Sequence, residues 1–180
     1  MLGDLSTGAG AEEFVHWLFA KLREDYLESN ELRPRAWVFL QCDPTSGEKL
    51  EQTAIAMIVA PDFRGGNREK DALVAMIREI ALKSKAVGVV MAMEVWVASK
   101  ISKERVRSLG PRGLEALPEA ERSEALYISL DHLGFKASRS WSAAIRRDSD
   151  GSPRLEDFCE LPIVEQEGRF SNLFPRELWQ

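Results

Sequence analysis

A chain of 180 residues, 44% of them hydrophobic, is long enough for one substantial core, and its formal charge of −5 argues against a generally cationic nucleic-acid binder. The longest apolar stretch, Ala86 to Ala98, falls short of the roughly 20 residues a membrane helix needs and carries Glu94, which excludes a membrane span there. Met1 to Gly10 contains Asp4 and lacks a basic lead into an apolar core, so it does not read as a secretory signal, and a cytoplasmic protein is expected.

From Ala11 to Asn30, the residues Phe14, Val15, Leu18, Phe19, Leu22 and Tyr26 recur at three- and four-residue spacing, the stripe of an amphipathic helix stopped by Asn30. Trp17 widens the stripe beyond what one sheet face covers, which fits either contact with a partner or a looser interior. Ala36 to Cys42 and Gln52 to Ala60 read as an antiparallel hairpin around Asp43-Pro44-Thr45-Ser46-Gly47. A second helix follows, capped at Asn67, with the stripe Leu73, Met76, Ile77 and Ile80.

Ala86 to Ala98 has the composition of a strand covered on both faces and should be the centre of a sheet. Residues 100 to 122 turn polar, with Gly110-Pro111 and Gly113 as breakers, and read as a mobile or functional loop. Glu124 to His132 alternates Leu126, Ile128 and Leu130 against Tyr127, Ser129 and Asp131; Phe135 to Arg147 sets Trp141, Ala143 and Ile145 against a wet face. After the turn Asp148 to Pro153, Arg154 to Leu161 returns as a short edge strand.

The predicted architecture is α+β: two layers, a mostly antiparallel sheet of five to six strands, and two main helices packed on one face. Residues 1–154 form a single domain, and 155–180 form an acidic C-terminal strand and docking tail with Phe174 and Trp179 among its apolar anchors. Residues 100 to 112 carry five basic side chains against Glu104, a local +4, which suggests an ionic tie between that loop and the acidic tail. Cys42 and Cys159 lack CxxC or Cys/His spacing and are expected reduced and packed in the core.

The GxxxxGK, GxGxxG, GxSxG, HExxH and paired CxxC patterns are absent. The best catalytic constellation is Glu94, Glu124, Asp131 and His132, which neighbouring strands could bring to one end of a sheet; Asp131 and His132 are adjacent and face opposite sides of a regular strand, so a metal-dependent hydrolase or nuclease would use Glu94, Glu124 and His132. A carboxylate inside a central strand is more often held by a core cation such as Arg139 than used to move protons. For nucleic acid, the candidate surface is Arg105, Arg107 and Arg112 with Lys136 and Arg146, without an exposed aromatic pair beside them.

The stretch Met93-Glu94-Val95-Trp96, followed after a variable loop by Pro118-Glu119-Ala120-Glu121-Arg122-Ser123-Glu124-Ala125-Leu126-Tyr127-Ile128-Ser129, resembles small uncharacterised proteins of bacterial and phage genomes. There a central strand ends in an acid-x-tryptophan element, and a proline-arginine-glutamate approach leads into the next strand. The resemblance covers residues 86 to 130 and implies a fold and a phage- or mobile-element setting; it supplies no catalytic residues. The expectation is therefore a non-enzymatic accessory or interaction protein without a cofactor or metal, binding itself or a protein partner through Trp17, Arg105, Arg107, Arg112, Phe174 and Trp179. The hydrolase or nuclease is the first alternative, and nucleic-acid binding through the basic loop the second.

Overall fold

The computed structural model describes residues 3–60, 67–98 and 102–162. Helix α1 (Gly8–Ser29) begins ahead of its apolar stripe because Thr7 caps it, the hydroxyl accepting from the Gly10 N–H at 3.1 Å. Gly10 is needed there, since a Cβ would lie 2.1 Å from the Asp4 carbonyl oxygen. Asn30 ends the helix in the left-handed region (φ 55°), its N–H donating to the Tyr26 carbonyl at 2.8 Å.

Strands β1 (Arg35–Cys42) and β2 (Lys49–Val59) pair antiparallel. Their loop is held by the Asp43 carboxylate, which accepts from the N–H groups of Thr45 and Ser46, both at 2.8 Å. Helix α2 (Asn67–Lys83), strand β3 (Gly88–Val97) and helix α3 (Lys103–Ser108) follow, then 3₁₀ segments Gly110–Ala116 and Glu119–Glu121. The predicted loop over 100 to 122 is thus largely short helical turns where it is described; Gly110 and Gly113 break them at positive φ, and Leu117 is buried. Strands β4 (Ser123–His132), β5 (Arg139–Arg147), β6 (Pro153–Leu155) and β7 (Cys159–Glu160) complete the order.

The fold is α+β. Among the described residues, one seven-stranded sheet runs β2-β1-β3-β4-β5-β6, with β7 also on β5, and each pairing is antiparallel. β3 lies between β1 and β4, in the middle as its composition predicts. Its burial is uneven: Gly88 to Met93 is buried, whereas Trp96 and Val97 are exposed.

The two helices do not share a face. Trp37 and Phe39 of β1, Val90 and Ala92 of β3, Leu126, Ile128 and Leu130 of β4, and Trp141 of β5 pack with α1. The alternate residues Ala36, Val38 and Leu40 of β1 and Val89, Met91 and Met93 of β3 pack with Leu73, Ile77 and Ala81 of α2. Side chains alternate across a strand, so α1 and α2 lie on opposite sides and the fold has three layers. The physical reason is in β1 and β3 themselves, which are apolar at consecutive positions and need cover on both faces.

Other local expectations shift as well. Met76 is exposed, and the buried stripe of α2 runs Leu73, Ile77 and Ala81. Cys42 is buried but Cys159 is exposed on the two-residue strand β7. The face of β5 read as wet is only partly so, with Ser140 buried. Of the acidic tail, Glu156 meets Arg146 of β5 at 2.8 Å and Glu160 meets Arg139 at 2.8 Å, while residues 163–180 lie outside the described residues.

Candidate functional site

Alternation puts Glu94 on the α1 face of β3, in line with Val90 and Ala92, and puts Glu124 of β4 and Arg147 of β5 on that same face. Glu94 pairs with Leu126 and Glu124 with Trp96, so the two carboxylates are diagonal neighbours on adjacent strands, at the sheet end where α1 stops. Glu94 accepts a hydrogen bond from the Leu32 N–H, the first buried group after the helix. Arg147 donates to Glu124 at 2.8 Å and to the Asn30 side-chain oxygen at 2.7 Å, with the Tyr26 hydroxyl at 3.5 Å.

These contacts explain the electrostatics. Burial pushes the Glu94 carboxyl above the usual glutamate range; the Leu32 N–H and Arg147 pull the other way, and the charge of Glu124 adds to the rise. Tyr26 is raised, chiefly by burial and then by Glu94. Arg147 is raised above its ordinary value by its bond to Glu124. A carboxyl with a raised pKa beside a second carboxylate has the character of a proton-transfer site. Here one carboxylate holds an arginine and the other holds a backbone N–H, so the arrangement clasps the end of α1 to three strands. Sequence reasoning found both glutamates but not Tyr26, Asn30 and Arg147, whose approach depends on where α1 crosses the sheet.

The clasp predicts a pH effect. Because the folded chain favours the protonated form of Glu94, the stability it contributes is full below the ordinary glutamate range and is lost as pH rises through the elevated folded value. Glu94→Gln keeps the acceptor for the Leu32 N–H without the charge, so it should match or exceed the native chain in stability at neutral pH and flatten that dependence. Glu94→Ala leaves the N–H without its acceptor and should cost about 1–3 kcal/mol. Urea unfolding of both variants from pH 4 to pH 8 checks the order; equal losses in Gln and Ala would refute the clasp.

His132 is not part of this site. It lies at the opposite end of β4 from Glu124, across from Gly88, about 26 Å along the strand. Its ring is fully buried, with Nδ1 accepting from the Gly134 N–H at 2.9 Å and Nε2 facing the Leu5 carbonyl at 3.1 Å. The Gly134 bond leaves the proton on Nε2, and both nitrogens serve the backbone. The three-residue catalytic constellation is therefore split: Glu94 and Glu124 come together and His132 does not. Arg139, the expected cation for Glu94, instead bridges Glu12 of α1 and Glu160 of β7.

Of the predicted partner residues, Trp17 is 45% exposed and leans on Phe14 with ring centroids 5.6 Å apart. Arg105 is paired with Glu121 at 2.7 Å, Arg146 with Glu156, and Arg107 is exposed. The side chain of Arg112 lies outside the described residues, as do Phe174 and Trp179.

A row missed from the sequence is Ile55, Met57 and Val59 of β2, all exposed, with Met57 at 58%. Their partners Phe39, Trp37 and Arg35 place them on the α1 face, beyond the cover of the helix. The signal available was a run from Gln52 to Ala60 without a single charge.

Among the described residues no group of three or more His, Cys, Asp or Glu side chains is placed to hold a metal ion, and no helix is long and apolar enough to cross a membrane. No protein-family model, curated protein or solved structure matches this chain.

Proposed function

We propose that this chain is a non-enzymatic interaction protein that associates with itself. The observation that carries the reading is the pairing of exposed apolar side chains with committed polar ones. Trp17, Ile55, Met57 and Val59 face outward, whereas Glu94, Glu124 and His132 are each held by a partner within the fold. A soluble monomer normally leaves large apolar groups singly on its surface; a row of them on one strand indicates a covered surface. The basic surface gives less support to nucleic-acid binding, because Arg105 and Arg146 already face carboxylates.

Light scattering across a wide concentration range tests this. The expected mass rises from 20.3 kDa toward a multiple of it as concentration increases. A strict monomer at every concentration would sink the proposal.

A further inference from the structure

We infer that two copies of this chain join edge to edge through β2, antiparallel about a two-fold axis at Ala56, so that the sheet of one copy continues into the other. The inference rests on the self-association proposed above and gives it a surface.

Among the described residues no strand pairs with the outer edge of β2. A sheet edge offers a row of N–H and C=O groups to any extended chain, and proteins ordinarily block it with charges, prolines or bulges. The nine residues Gln52 to Ala60 contain no charge, no proline and no glycine. Their β-branched and apolar content is the composition that pairs readily with another strand.

The symmetry of this run selects the second copy as occupant. The uncharged window is centred on Ala56, with Glu51 just before it and Pro61 just after it. A two-fold axis there sets Ile55 opposite Met57 on the α1 face, and Ala54 opposite Ile58 on the α2 face. Thr53 then faces Val59. Large meets small or apolar meets apolar at each position, and the nearest charges, Glu51 and Asp62, fall outside the paired window, where they are set opposite the uncharged Pro61 and Leu50. An axis perpendicular to the sheet keeps α1 of both copies on one side and α2 on the other. It makes the contact isologous, so it closes at two copies rather than propagating.

The test uses the full chain with Cys159→Ser, which removes the exposed native thiol. Adding Ala56→Cys should give a disulfide-linked dimer under mild oxidation, because residues opposed across an antiparallel pair fall within disulfide reach. Gln52→Cys, displaced from its own copy in the partner, should not. Met57→Lys places a charge at an exposed position of the pairing edge and should weaken association at least tenfold with an unchanged circular dichroism spectrum. Self-association that persists in Met57→Lys, with no link through residue 56, overturns this surface while leaving self-association standing. A strict monomer overturns both.

Discussion

His132→Ala is expected to cost about 3 kcal/mol or more of folding stability, as a fully buried ring is lost along with two hydrogen bonds. The ring links the end of β4 to the segment before α1 through Leu5, and it lies among Phe39 and Phe135, with centroids 6.4 Å and 6.0 Å away. The substitution should therefore loosen the N-terminal segment first. Amide exchange around Leu5, Thr7 and Gly8 should accelerate more than exchange in β1, and denaturant unfolding should report the overall loss. A catalytic histidine gives the opposite pattern, with stability nearly intact and activity gone. If His132→Ala keeps the native unfolding midpoint, the structural role is refuted.

Trp141→Ala is the second large expected effect, at about 3–5 kcal/mol. Trp141 is almost completely buried on the α1 face of β5, between His16 of α1 and Phe158, with ring centroids 6.1 Å and 6.3 Å away. The Arg139 guanidinium lies 5.2 Å from the ring centroid, and Trp141 pairs with Glu160 of β7. Removing the indole opens a cavity under α1 and loosens β7, which keeps its Arg139–Glu160 ion pair and its backbone pairing with β5. Trp141→Phe fills most of that volume and should recover most of the loss. Guanidinium unfolding of both variants gives the comparison; indistinguishable alanine and native midpoints would contradict the packing.

Much of the fold was legible in the sequence because alternation and helical spacing are local signals. The stripe of α1, the central position of β3 and the inward residues of β4 all follow from periods of 3.6 and 2. The side on which each helix lies is not local. A stripe reveals which helix face is buried but not which sheet face it meets, and that is where the one-sided expectation failed. Its correction was available in Trp37-Val38-Phe39-Leu40, four apolar residues that cannot all face one layer. With helices on both sides, neither sheet face is wholly bare, and the exposed row Ile55, Met57 and Val59 lies at the margin of the α1 face, on β2.

The candidate site was legible to a lesser degree. Glu94 stood out as the one charge in an apolar strand, and its half-buried, N–H-bonded state follows from that position. Its partner was misassigned because Arg139 and Glu94 lie toward opposite ends of the sheet, a fact set by register: Arg139 faces Leu130 of β4 while Glu94 faces Leu126. The clasp of Tyr26, Asn30 and Arg147 joins residues 117 apart in sequence, and no spacing rule reaches that far.

The placement of α1 also bears on how the chain is made. It is made well before the residues that cover it: Trp141, which closes over it, is 127 residues downstream of Phe14, and Phe158 comes later still. At roughly 5–20 residues per second, the nascent helix waits about 6–25 s for that half of its shelter. Until then the apolar stripe that Trp141 and Phe158 cover lacks that part of its native packing.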